Sequence, residues 1–173
     1  MRNFTIRSGA KNDAASLFSL IQELAIYEKK KLSGVKLTPE KIIADAFSET
    51  PRFHVLIAEH NNQPIGYVLY FFTYSATIGA RILYLEDLLV REPYRKEGAG
   101  KQLMSMLAKI ANENACCRVE WHVFTWNTSA CTFYKSLDAT QKKDLVQMRL
   151  EKSEMDKLIL HDENSNTAYR SKL

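Results

Sequence analysis

The sequence predicts an α+β fold: a mixed central sheet, antiparallel at its start, with helices on both faces. Three observations carry this. Two runs rich in β-branched and aromatic residues, Phe53–Ala58 and Ile65–Thr73, flank the turn Asn61-Asn62-Gln63 and read as an antiparallel hairpin. A further run, Ile82–Val90, leads through a glycine loop into an amphipathic helix, and Arg118–Phe124 follows as another strand. Strand, helix, strand in that order implies a parallel pair with a right-handed crossover.

The remaining elements follow in chain order. Phe4-Thr5-Ile6-Arg7 is a short first strand. Asp13 is placed to cap a helix whose apolar face is Leu17, Leu20, Ile21, Leu24 and Tyr27, ending before Lys29-Lys30-Lys31. Thr38-Pro39-Glu40 combines a cap, a proline for the first turn and an acid at the positive dipole end; the face behind it is Ile42, Ile43, Ala46 and Phe47, and Pro51 closes the helix. Ser75 to Ala80 is a loop. After Gly100, Leu103, Met104, Leu107, Ile110 and Ala111 share one helical face. Trp126-Asn127-Thr128-Ser129 opens another helix running to about Leu137, Leu145–Leu150 reads as a closing strand, and Ser153–Leu160 as a short helix. The organisation is a single domain over residues 1–160 with a polar tail, 161–173.

With 173 residues, 46% hydrophobic and 25% charged, the composition is that of an ordinary globular domain with a sizeable core. No apolar run approaches the roughly 18 residues of a membrane span, so no membrane partner is expected. The three cysteines form neither a disulfide framework nor a CxxC motif, which points to a reducing compartment. The four histidines lack metal-ligand spacing, so no metal is expected. The net charge of +4 is compatible with an anionic cofactor, and the absence of a basic stripe interleaved with aromatics counts against nucleic acid.

The chemistry centres on Arg95-Lys96-Glu97-Gly98-Ala99-Gly100-Lys101. Close glycines let the backbone turn with positive φ and approach a ligand, and the helix start offers free N–H groups and a positive dipole end, a site for phosphate. A P-loop would need glycine at Arg95 and Ser or Thr at Gln102; a dinucleotide loop would need a small residue at Leu103. Arg-x-x-Gly-x-Gly fits instead, and it resembles the pyrophosphate loop of the GCN5-related N-acetyltransferases (GNAT), which bind acetyl-CoA. Leu20-Ile21-Gln22-Glu23-Leu24-Ala25, Tyr84-Leu85-Glu86-Asp87, Tyr94-Arg95, Trp126-Asn127 and Phe133-Tyr134-Lys135 extend the match. In order and separation they resemble the diamine (spermidine/spermine) and thialysine N-acetyltransferases of that superfamily.

That resemblance implies a GNAT fold, with the strands Ile82–Val90 and Arg118–Phe124 splayed around acetyl-CoA. Leu88, Leu89 and Val90 would line the pantetheine arm, Arg95 through Lys101 would hold the pyrophosphate, and Asn127, Ser129 and Tyr134 would complete the cofactor side. It makes Tyr134 the acid that protonates the departing thiolate; a phenol with pKa near ~10 suits that task. The competing account of Tyr134 is a core tyrosine packed beside Phe133. The resemblance makes Glu86 the carboxylate that deprotonates the amine, with Asp87 second. In a regular strand these two acids face opposite sides, unless a bulge re-aims the chain. The competing account is a salt bridge to Arg81 or Arg118. Tyr27 and Glu28 match positions that contact the amine, against the plainer account of a helix end with an exposed acid.

The departures concern the acceptor. Lys29-Lys30-Lys31 stands where spermidine acetyltransferases are acidic; Ser75 and Thr77 replace Asp and Trp; Val146-Gln147-Met148 replaces Glu-Gly-Trp; Asp138 replaces a glycine. A polycation needs several carboxylates along its length, so thialysine, a lysine-like molecule or a short diamine is expected over spermine. The expected activity is therefore acetyl-CoA-dependent N-acetylation of a small primary amine, by direct transfer in a ternary complex. Alternatives are acetylation of protein lysines, an acyl-CoA sensor without turnover, and Cys131 as an acetyl carrier. The resemblance also implies a homodimer. Ser171-Lys172-Leu173 reads as a peroxisomal import address bound by the import receptor, with the cytoplasm as the alternative.

Overall fold

The computed structural model describes residues 2–160, so the terminal Ser171-Lys172-Leu173 lies outside the described residues. The chain forms two compact units, one through Phe124 and one from Thr125.

The first unit is built on a five-stranded sheet in the order β1-β2-β3-β4-β5: Thr5–Ser8, His54–His60, Gln63–Ser75, Ala80–Val90 and Cys116–Trp121. The first four strands are antiparallel, and β4 and β5 are parallel. The β2–β3 turn works because Asn61 and Asn62 both adopt positive φ, 51° and 59°, as a tight hairpin turn demands. Helices α1 (Ala14–Tyr27) and α2 (Pro39–Ala46) cover one face, and α3 (Ala99–Glu113), the crossover between β4 and β5, covers the other. Leu17, Leu20, Ile42, Ile57, Tyr67 and Leu69 form the core under α1 and α2. Val68, Tyr70, Leu83, Leu85, Leu103 and Leu107 form the core under α3.

The helix starts divide. Thr38 caps α2 as its sequence suggests, accepting from the Lys41 N–H at 3.2 Å, with Pro39 in the first turn. Asp13 stands at the start of α1 but does not cap it. Its carboxylate accepts a two-pronged bond from Arg7, both contacts 2.7 Å, and a third from the Ala10 N–H. A guanidinium fork is the stronger donor, so it outcompetes the helix amides. Ile43, expected on the buried face of α2, is exposed, since that short helix buries only Ile42 and Ala46 fully.

In the second unit, α4 (Thr128–Lys135) is capped by Asn127, whose Oδ1 accepts from the Ala130 N–H at 3.1 Å. Asp138, in the place of the family's glycine, takes a left-handed φ of 59°. The closing strand expected at Leu145–Leu150 is not formed: residues 145–150 run without strand pairing, and Leu145, Val146 and Met148 are exposed. Apolar content proposes a strand, but only a ladder partner makes one. Residues 152–160 are helical, one residue longer than the sequence suggests.

Candidate active site

The register of β4 creates the site. Leu85 pairs with Tyr70 of β3, but Asp87 pairs with Leu69, so Glu86 is an extra residue in β4. A bulge of this kind breaks the period-two alternation of a strand. Leu83 and Leu85 point into the α3 core, and regular alternation would send Asp87 after them. Instead, Leu88 and Val90 pack toward α3, while Leu89 joins Tyr67 and Leu69 in the core under α1 and α2. Asp87 is carried to that second face, half-buried, and Glu86 stands exposed at the bulge. The ion pairs that competed for these acids are not made: Arg118 bonds Glu120 at 2.6 Å, and Arg81 lies over the Phe72 ring.

On this face Asp87 borders a cleft of about 580 Å³ between α1 and the segment that follows it. Leu24 supplies apolar wall; Glu28, Lys30, Lys31 and Lys36 supply charge. Glu28 follows the last turn of α1, and Lys29 turns the chain with φ 61°. The Glu28 carboxylate holds Lys30 at 2.5 Å, and Lys36 donates to the Ser33 carbonyl at 2.8 Å. Behind the cleft, the fully buried Tyr67 hydroxyl donates to Asp87 Oδ2 at 3.0 Å. Burial pushes the Asp87 carboxyl up to about 6; the charges of Glu86 and Glu28 add to this, and the Tyr67 bond and Lys30 oppose it. Burial also lifts the Tyr67 phenol well above its ordinary value, with Asp87 as the next cause. Tyr67 had no functional signal in the sequence, because it lies in an unbroken apolar and aromatic run.

The other edge of β4 suits an extended ligand. Pairing with β5 ends at Leu85 and Trp121, and β4 continues through Val90 on β3 alone. Leu88, Leu89 and Val90 thus lie on a stretch whose second side has no strand partner among the described residues. Backbone amides along such an edge need acceptors and donors from elsewhere. At its end Arg95 donates from Nε to the Val90 carbonyl at 2.8 Å and places its guanidinium 5.0 Å from the centre of the Tyr27 ring. Arg95 therefore pins the start of the loop and stacks on a residue expected to meet the amine. Glu97 is paired with Arg2 at 3.2 Å, while Lys96 and Lys101 are exposed. Gly98 takes φ 102°, which L side chains rarely adopt, and Ala99 and Gly100 begin α3. The first-turn amides of that helix are left for an anion. This free strand edge and glycine-led helix start fit the pantetheine and pyrophosphate parts of acetyl-CoA.

In the second unit, Ser129 is exposed in the first turn of α4 and Cys131 is half-buried. Tyr134 is half-buried, its ring centre 5.3 Å from that of Phe133. Asn127 and Tyr134 are two turns apart at the two ends of this helix.

Residues 20–138 match the model of the acetyltransferase (GNAT) family. The chain is 38% identical over 142 residues to the thialysine N-epsilon-acetyltransferase of Bos taurus, covering 78% of this chain and 82% of that one. It is 34% identical over 169 residues to the enzyme of the same name from Mus musculus, covering 91% and 98%. Among solved structures, an integron cassette protein from the mobile metagenome of V. cholerae superposes with a TM-score of 0.75 at 26% identity, covering 90% of this chain and 97% of that one. The family match across more than half of the sequence, the mixed sheet with its parallel β4–β5 pair, and the loop at Arg95–Gly100 agree: the chain belongs to the GNAT family of acetyltransferases.

Proposed function

We propose that the protein transfers the acetyl group of acetyl-CoA directly to the terminal amine of a small amino-acid-like acceptor such as thialysine. The observation that carries this reading is the mixed charge of the cleft beside Asp87. Asp87, with the Glu28–Lys30 pair beside it, offers negative charge to an ammonium group, and Lys31 and Lys36 offer two cations to a carboxylate. A polyamine has nothing to place against those lysines and would be repelled by them. An acceptor with an amine at one end and a carboxylate at the other satisfies both sets. The names of the Bos taurus and Mus musculus relatives support the same class.

The chemistry balances without another reagent. The acceptor ammonium, with a pKa near ~10.4, must first lose a proton, and the β4 carboxylates Glu86 and Asp87 are the groups at hand to take it. The free amine nitrogen then forms a bond to the thioester carbonyl carbon, the carbon–sulfur bond breaks, and the nitrogen sheds a second proton. Tyr134 protonates the departing thiolate. The products are the amide, free CoA and one proton released to water. When bound, acetyl-CoA supplies the activated acyl group; Leu88, Leu89 and Val90 would hold its pantetheine and the segment Arg95 to Lys101 its phosphates, and Asn127 and Ser129 are further cofactor-binding residues of this proposal. Homodimerisation and peroxisomal import through Ser171-Lys172-Leu173 belong to the same proposal. Sedimentation velocity, and the distribution of a fluorescent fusion with and without those three residues, test them.

Free-thiol release from acetyl-CoA, measured with thialysine, lysine, putrescine, spermidine, spermine and no amine, tests the reading. Thialysine and lysine are expected to react faster than the diamine and polyamines. Combining Lys31→Glu with Lys36→Glu should slow the amino acids and favour putrescine. Fastest release with spermine would sink the mixed-charge argument. Tight acetyl-CoA binding with no release on any amine would leave an acyl-CoA sensor.

A further inference from the structure

The two neighbouring carboxylates of β4 are not equivalent, and the difference is built into the sheet. Glu86 is the unpaired residue of the bulge and is exposed. Asp87 is paired in the ladder with Leu69, half-buried, and borders the cleft. Its Oδ2 accepts from the hydroxyl of Tyr67, two residues along β3 from its cross-strand partner. Tyr67 is 0% exposed and packs in the core with Leu17, Leu20, Leu69 and Leu89, so it cannot swing away. A tyrosine hydroxyl in an apolar core needs a partner, and the partner here is the one acid carried to this face by the bulge.

We propose that Asp87 is the carboxylate that takes the proton from the incoming amine, and that the buried Tyr67 hydroxyl is the positioning residue that holds it for that task. This rests on the acetyltransferase reading above. Tyr67 occupies one carboxylate oxygen, which fixes the rotamer and leaves Oδ1 for the cleft. The ammonium proton moves to Asp87, the nitrogen lone pair becomes free to attack, and the protonated carboxyl returns its proton to water through the open cleft. The groups facing Asp87 set its basicity together: Tyr67 from β3, Glu86 from β4, and Glu28 and Lys30 from the segment after α1. Burial makes it a better base than an ordinary aspartate while leaving it ionised at neutral pH.

The test follows the Asp87 carboxyl by carbon-13 NMR titration and, in parallel, the acid limb of the pH profile of kcat/KM for the acceptor. In the wild-type protein both should fall near pH 6. Tyr67→Phe keeps the ring and the packing but removes the stabilising bond. Both values should then rise together by about one pH unit, the size of one hydrogen bond to a charged group. Asp87→Asn should lower kcat by about 10²-fold or more with acetyl-CoA binding intact, and Glu86→Gln should preserve the acid limb. A Tyr67→Phe protein whose NMR value rises while the limb stays fixed overturns the proposal and leaves the acetyltransferase reading standing. Loss of the limb in Glu86→Gln but not in Asp87→Asn does the same and assigns the proton to Glu86. A wild-type protein inactive on every amine removes the acetyltransferase reading, and this proposal with it.

Discussion

Replacing Asp87 with asparagine should make the protein more stable and less active at once. Folding lifts this carboxyl from 3.8 to about 6, chiefly by burial. An acid whose pKa rises on folding binds its proton more tightly in the native state, so its ionised form opposes folding. The penalty is nearly full above pH ~6, shrinks as pH falls through the folded value, and is lost only below the unfolded value, with about a fifth left at pH ~4. A shift of about two units corresponds to about 3 kcal/mol at neutral pH. Asparagine keeps the shape and an oxygen for the Tyr67 hydroxyl but removes the charge, so a gain of about 2–3 kcal/mol is expected at pH 7.5. Urea unfolding at pH 7.5, 5 and 4 reads it directly. The difference between variant and wild type should be largest at pH 7.5, roughly half as large at pH 5, and about a fifth as large at pH 4. An Asp87→Asn protein no more stable than wild type at pH 7.5 would refute the reasoning. Asp87 would then be an ordinary well-paired acid.

Three further outcomes follow from other contacts. Tyr27→Leu removes the ring beneath Arg95, which lies 5.0 Å from its centre. It should raise the KM for acetyl-CoA about three- to fivefold, whereas Tyr27→Phe should leave it within twofold; steady-state kinetics separate the two. Arg7→Met leaves Asp13 and Glu59 without the guanidinium both contact, at 2.7 and 2.6 Å. With that side chain about one-third exposed, the loss should be about 2 kcal/mol by urea unfolding. Arg7 holds the Asp13 carboxyl below its usual range, so this loss should be full above pH ~4 and fade as pH falls through the depressed value. Gly66→Ala would set a Cβ 2.5 Å from the Leu89 carbonyl oxygen, a backbone atom that cannot step aside. It should cost about 2 kcal/mol or more and weaken acetyl-CoA binding, because Leu89 and Val90 must move; thermal melts and calorimetry check both.

Much of this architecture is written in local patterns, and the site shows where such patterns stop. The β2–β3 hairpin, the strand leading to the loop, the loop itself and the apolar face of α3 each follow from a periodicity or a turn chemistry contained within a few residues. The failures are long-range. Asp13 is the exception: Arg7 is only six residues away, but that it folds back onto the carboxylate depends on β1 pairing with β2, where Glu59 holds the same guanidinium. Residues 145–150 read as a strand because pairing is a property of two segments and the sequence presents one. Lys29-Lys30-Lys31 is visible as a departure from the family, but that Lys30 and Lys31 face the same cleft as Asp87 depends on how the chain turns after α1.

The bulge is the deepest of these. Leu85-Glu86-Asp87-Leu88 reads the same whether β4 is regular or carries an extra residue, yet the two registers lead to different proteins. In the regular register, Asp87 would enter the α3 core with Leu83 and Leu85, far from Tyr67, and a carboxylate there would have to be neutral or expelled. In the observed register, the residue displaced by one step is Glu86, which goes to solvent at little cost, and Asp87 meets the buried Tyr67 hydroxyl. Pairing of two charged residues in the middle of an apolar strand is therefore a signal in itself: one of them must be accommodated by breaking the alternation. The break fixes which acid reaches the cleft, and through Tyr67 it fixes how that acid is held.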